Sequence, residues 1–206
     1  MTPICRLHCF KESGNSYKVA LALTLAEIAW EKVDVAFFQG ATRDPVWHAE
    51  VNEFGEVPVL EIDGLKLSQS GVILTHLSEQ VNKLRVSPAE RLEVLRWLLF
   101  DNHKFTGNLA SYRWLRTFAK SVDEAVLTFV RQRTTAAFDT VERHFSKNAF
   151  LVGGRLTIAD LSLAGYVFYP PEELGLEIKD SYPHVWKWMG RISEIPGWHE
   201  PYGLLR

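Results

Sequence analysis

The chain has 206 residues, 47% hydrophobic and 23% charged, with a formal charge of −2. That is enough sequence for one large domain or two modest ones around a proper core, in a balance that excludes a fibre or a disordered chain. The charge gives no electrostatic reason to expect nucleic acid, and no stretch approaches the roughly 18–20 apolar residues of a membrane helix.

Residues 3–10 are short and apolar and predict a first strand. It holds both cysteines, Cys5 and Cys9, which a strand would set about 13 Å apart, too far for a disulfide. Two thiols and no basic-then-apolar leader lead to the expectation of a soluble protein in a reducing cytoplasm. Ser13-Gly14-Asn15-Ser16 supplies capping residue types, and Tyr17 to Ala29, with Val19, Leu21, Leu23, Leu25 and Ile28, predicts a helix. Val33, Val35 and Phe37 alternate within Glu31 to Phe38, a second strand. After a mixed segment at 43–52, apolar runs at 57–62 and 65–67 flank Asp63-Gly64, a two-residue hairpin signal. Gln69 to Val81 predicts a helix with Val72, Ile73, Leu74 and Leu77 turned inward. The order β-α-β, link, β-β-α describes a small α/β sheet of mixed direction.

Beyond Asn82 the character changes. Residues 1–82 carry 6 Lys/Arg against 11 Asp/Glu, and the remainder 17 against 14, which supports a division near residue 83. Ser87-Pro88-Ala89-Glu90 is a helix start. From there apolar residues recur at three and four spacing to about Ser146, and further helices are expected at 157–168 and 183–195. The division is therefore 1–82, a linker at 83–87, and an all-helical 88–206.

Four features carry chemistry or capping. Val57-Pro58 opens a strand, which fits either an edge-strand proline or a cis turn that frees the preceding N–H and C=O for a ligand. Gln69-Ser70 stands at a strand-to-helix junction, where free N–H groups favour a carboxylate, although taken alone a plain N-cap is the better reading. Ser13 to Ser16 occupies the same kind of place before the first helix, where a thiolate would be stabilised, or where the turn merely caps. Thr157-x-x-Asp160 reads as a capping box for a buried helix. The seven histidines are scattered without zinc-type spacing, so no metal is expected.

In their order and spacing these motifs resemble the cytosolic glutathione transferase family over essentially the whole chain. They are the serine turn before Tyr17-Lys18-Val19, Asn52-x-x-Gly55-x-Val57-Pro58-Val59-Leu60, Asp63-Gly64, Gln69-Ser70, and Gly154-x-x-x-Thr157-Ile158-Ala159-Asp160. The tail Tyr182 to Met189 through Pro196 is similar to the family's late helix. The resemblance implies a thioredoxin-like α/β first domain that holds glutathione as co-substrate, and an all-α second domain that supplies an acceptor pocket. It implies a homodimer, through the Gln69–Val81 helix and the first long helix beyond it, and conjugation of glutathione to small electrophiles in a detoxifying role. Ser13 matches the position of the activating hydroxyl in serine-type members such as the theta and zeta classes. Val57 would pair through its backbone with the cysteinyl part of glutathione, beside Pro58. Gln69 and Ser70 would hold the γ-glutamyl carboxylate and amine, and Arg43 the glycyl carboxylate. Acceptor walls would include His103, Tyr112 and Phe168-Tyr169.

The chain also departs from the family pattern. Asn15 replaces the cysteine of zeta members and is a second candidate for the thiolate contact. Glu53 stands where proline is usual, and Glu56 adds negative charge that is expected to weaken binding of an anionic ligand. The turn holds no cysteine, which argues against mixed-disulfide chemistry. Glutathione-dependent isomerisation, dehalogenation or disulfide reduction, and binding without turnover, stay open as alternatives.

Overall fold

A computed structural model of the chain describes residues 5–206. Pro3 and Ile4 of the expected first strand lie outside them. The structure divides into two compact units, one ending at Arg85 but also taking Pro196–Arg206, the other spanning Val86–Ile195.

The first unit is built on four strands, β1 (Cys5–Cys9), β2 (Trp30–Asp34), β3 (Val59–Ile62) and β4 (Leu65–Ser68), in the order β2-β1-β3-β4. β1 pairs parallel with β2 and antiparallel with β3, and β3 pairs antiparallel with β4. The mixed sheet is therefore the one the element order predicts. Helix α1 (Gly14–Leu25) begins three residues earlier than its apolar pattern, because Ser13 caps it. It ends at Leu25, four residues early, where Glu27 takes φ 59° and Ile28 N–H returns to Leu23 C=O. β2 stops at Asp34, short of the expected Phe38. Phe37 instead enters a 3₁₀ turn and stacks on Phe10 with centroids 4.4 Å apart. The mixed segment holds a short helix, α2 (Pro45–Glu50), capped by Asp44. Asp63 (φ 50°) and Gly64 (φ 79°) both turn left-handed, as a two-residue hairpin with matching twist requires. Helix α3 (Ser70–Gln80) follows.

The C-terminal segment is a correction to the expected division. Tyr17 Oη donates to His199 C=O (2.8 Å), Lys32 Nζ donates to Leu205 C=O (3.0 Å), and Leu205 is fully buried. Residues 196–206 thus pack with the α/β unit rather than with the helices that precede them.

The second unit is helical: α4 (Arg91–Phe100), α5 (Thr106–Thr117), α6 (Glu124–Phe145), α7 (Ile158–Leu163), α8 (Pro171–Leu174), α9 (Ile178–Ser181) and α10 (Pro183–Ser193). Its β pairing is one isolated bridge, Val152 with Arg155. Ser87 donates from N and Oγ to Glu90, as a capping turn should, and regular helix begins at Arg91. Between α4 and α5 lies a π-helical turn, Asp101–Phe105, with Gly107 packed so closely that a Cβ would stand 2.8 Å from Asn102 C=O. The expected 157–168 helix is regular only to Leu163, and its Thr157/Asp160 capping box is formed in both directions.

Candidate functional site

Sheet register sets the site. His8 pairs with Val59 and Val59 with Ser68, so one row of residues crosses three strands near one end of the sheet. Just beyond that row lie the turn after β1, the Val57-Pro58 entry to β3 and the Gln69-Ser70 exit from β4. Segments about 55 residues apart in sequence are thus neighbours by topology. Ser70 Oγ lies 3.4 Å from Asn15 Oδ1, which joins the first turns of α1 and α3.

Each element brings one functional group. Ser13 is 4% exposed, and its Oγ accepts the Ser16 N–H at 3.1 Å. Accepting that bond leaves its own hydroxyl proton available as a donor. Neither α1 nor α3 carries an acidic residue in its first turn, so the partial positive charge of both N-termini is uncompensated by the helices' own side chains. The Val57–Pro58 peptide is cis, which selects the turn over the plain edge-strand proline. Val57 lies outside the β1–β3 ladder, which begins at Val59. Gln69 turns the chain sharply from β4 into α3 with φ 67° and ψ 114°, a left-handed conformation that non-glycine residues seldom adopt.

The loop before Pro58 is held from below. Buried Asn52 donates from Nδ2 to Glu56 C=O at 2.9 Å and accepts Phe54 N–H at 3.2 Å. His48 Nδ1 contacts Glu53 C=O at 2.8 Å, and its ring lies against Gly55. Gly55 (φ 65°) has no room for a side chain, since a Cβ would sit 2.7 Å from His48 Cε1 and 2.9 Å from Thr42 C=O. In the sequence Asn52 and Gly55 stand only as motif letters. The signal that could have found their role is an Asx residue four before Glu56, a type that hydrogen-bonds nearby backbone. Nor does the sequence announce the exposed contact between Gln69 Nε2 and Glu56 Oε2, 2.8 Å long.

The remaining candidates are placed as follows. Arg43 is exposed at the end of a 3₁₀ turn, Ala41–Arg43, in the first unit, and pairs with no described carboxylate. His103 is exposed on the π-helical turn, Tyr112 is buried in α5, and Phe168 is half-buried in the turns after α7, all in the second unit. Cys5 and Cys9 are free and buried, and burial pushes their thiols up to about 11 and about 12. Thiols so disfavoured as thiolates are poor nucleophiles. Among the described residues no three His, Cys, Asp or Glu side chains gather as a metal cluster, and no helix is long and apolar enough to cross a membrane.

Comparison with known families now decides the identity. The glutathione S-transferase N-terminal domain matches residues 6–79, and the glutathione S-transferase C-terminal domain matches residues 103–196. The chain belongs to the glutathione S-transferase family. Its first unit is that family's thioredoxin-like domain and its second the helical one. A glutathione S-transferase structure from Xanthobacter autotrophicus Py2 is 31% identical, with a TM-score of 0.86 over 95% of this chain and 96% of that one. Maleylacetoacetate isomerase of Rhizobium meliloti is 30% identical over 182 residues, 79% of each chain. Ure2p in complex with glutathione shares the fold at 22% identity, with a TM-score of 0.85 over 96% of this chain and 97% of the other. The transferase fold expected from the motifs is thus the fold of the molecule.

Proposed function

We propose that this protein binds glutathione at the α1/α3 end of the sheet and conjugates its thiolate to small hydrophobic electrophiles. The observation that carries this reading is the junction of Asn15 with Ser70 beside the cis Val57–Pro58 turn, with the Ser13 hydroxyl at the N-cap of the same helix, two residues before Asn15. Ser13 would donate its proton to the sulfur, and together with the α1 N-terminus draw the thiol pKa down from its free value of about 8.5. The Asn15 carboxamide, whose oxygen faces Ser70, keeps its NH2 group for the same sulfur or for the ligand backbone. Val57 would pair with the cysteinyl residue, Ser70 with the γ-glutamyl end and Arg43 with the glycyl carboxylate. His103, Tyr112 and Phe168 stay proposed as acceptor walls. A reducing cytoplasm, where Cys5 and Cys9 remain thiols, is the proposed location. A homodimer is also proposed, supported by the exposed Leu92, Leu95 and Leu99 on α4 and Val72 on α3. Sedimentation at micromolar concentration showing only monomer would refute it.

The test of the main reading is thioether formation with 1-chloro-2,4-dinitrobenzene, beside the ultraviolet absorbance of bound thiolate against pH. Ser13→Ala should lower turnover by roughly 10²-fold and raise the bound thiol pKa, with glutathione affinity little changed. Unchanged turnover moves the role to Asn15. Binding without turnover across a broad electrophile panel makes the protein a glutathione-binding protein instead.

A second reading, glutathione-dependent isomerisation, is favoured by the isomerase named above among its relatives. The same thiolate would add to an enone and leave again after rotation. Conversion of maleylacetoacetate to its trans isomer without net consumption of glutathione is its signature.

A further inference from the structure

The last residues of the chain close over α1, the helix that carries Ser13 at its start. α1 packs on β1, on α3 and on a short C-terminal helix, α11 (Pro201–Leu204). This segment is anchored along its length. Glu200 caps α11 by accepting the Tyr202 N–H at 2.8 Å, and Pro201 and Leu205 are buried. Leu205 C=O accepts from Lys32 Nζ on β2 at 3.0 Å, and Asp34 holds that ammonium at the same distance. At the other end, a Cβ on Gly197 would stand 3.7 Å from Leu25 Cδ2, at the end of α1, and Tyr17 Oη donates to His199 C=O at 2.8 Å. Tyr17 joins the segment to the cap. Its ring is fully buried, and its N–H donates to Ser13 C=O at 2.9 Å, the first hydrogen bond of the helix. Burial holds the phenol above its usual range, so Tyr17 stays a donor at every working pH.

We infer that Pro196–Arg206 is a strap that fixes the first turn of α1, with Tyr17 as its positioning residue, and so helps to set how readily bound glutathione ionises. This rests on the glutathione reading above. A helix N-terminus stabilises an anion only while its N–H groups stay aimed at the charge, and a displacement of about 0.5 Å is enough to weaken it. The Tyr17 hydroxyl is engaged with the strap, so the residue acts through Ser13 and not on the sulfur.

Thiolate absorbance at saturating glutathione and turnover of 1-chloro-2,4-dinitrobenzene, both followed against pH, test it on wild type, Tyr17→Phe and Trp30→Phe. Tyr17→Phe keeps the ring and loses only the donor. It should raise the bound thiol pKa by about half a unit, a loss of up to about threefold in turnover in the acid limb that disappears in the alkaline limb. Trp30→Phe removes another neutral hydrogen bond, from Trp30 Nε1 to Thr24 Oγ1 (3.1 Å) near the far end of α1, and should leave the profile in place. Leu205→Ala loosens the strap at its other end. It should shift the profile as Tyr17→Phe does, and it carries the test where Tyr17→Phe does not fold. A strap variant whose profile overlays wild type, or falls equally at every pH, overturns the inference, as does an equal shift in Trp30→Phe. A wild type with no bound-thiolate absorbance overturns the glutathione reading itself.

Discussion

Replacing Asp160 by Asn separates two opposed forces acting on one buried carboxylate. Asp160 is fully buried and accepts four hydrogen bonds. Leu151 N–H (2.9 Å) and Trp188 Nε1–H (3.1 Å) reach Oδ1, and Thr157 N–H and Oγ1–H (both 3.0 Å) reach Oδ2. No cation is among these four partners. Burial therefore wins over the donors, and the carboxyl is pushed up from 3.8 to about 6. A folded-state value above the unfolded one means that the native state holds the proton longer. The stability this group contributes is present below about pH 4 and is lost as pH rises through 6. A rise of that size is worth about 3 kcal/mol. Asn keeps an oxygen for Leu151 and Trp188 but turns an NH2 towards Thr157, whose N–H then lacks an acceptor, at a cost of about 1–3 kcal/mol. The variant should thus be less stable than wild type at pH 4 by about 1–3 kcal/mol, with the difference shifting by about 3 kcal/mol in the variant's favour by pH 7.5, enough to cancel or reverse it. Urea unfolding followed by tryptophan fluorescence at a series of pH values measures the gap directly. A gap that widens with pH would show that the four donors outweigh desolvation and that the anion is the favoured native form.

Gly55→Ala should cost about 2 kcal/mol or more and weaken glutathione binding, because the new Cβ would meet His48 and Thr42 C=O at 2.7 and 2.9 Å in a left-handed backbone; urea unfolding and calorimetry read both. Glu61 is held below the usual carboxylate range, first by its hydrogen bond with His8 (2.9 Å) and then by the charges of His8, Arg6 and Lys66, against burial. Its contribution is present above pH 4.5 and lost as pH falls through its lowered pKa. The wild-type advantage over Glu61→Gln, about 1 kcal/mol at pH 6, should therefore vanish in the acid limb of a stability–pH series. Glu27→Gly should stabilise the chain by about 0.5–1 kcal/mol, since Glu27 holds φ 59° at the end of α1 and gives up only an exposed pair with Lys83. A lower melting temperature for that variant would refute the backbone argument.

What could be read from the sequence is what short-range chemistry encodes. Asp63-Gly64 announced its hairpin because both residues tolerate positive φ, and Thr157-x-x-Asp160 announced a reciprocal cap because three residues separate the partners. Val57-Pro58 narrowed to two conformations, and only the fold around it chose between them. The elements that were misplaced were decided at long range. The alternation of Val33, Val35 and Phe37 suited a strand, but Phe37 gains more by stacking on Phe10, twenty-seven positions away, than by extending an edge. The tail from Pro196 has no local pattern that assigns it to a unit, and Tyr17, Lys32 and the burial of Leu205 claim it for the first. The site shows the same division. Ser13, Gln69 and Ser70 were visible as helix-start residues, whereas the meaning of Glu56 depended on which group it faces. As an isolated charge beside an anionic ligand it reads as a repulsion. The β3–β4 hairpin brings Gln69 to within 2.8 Å of it, so the carboxylate stands hydrogen-bonded to an amide 13 residues on, a pairing that no local pattern announces.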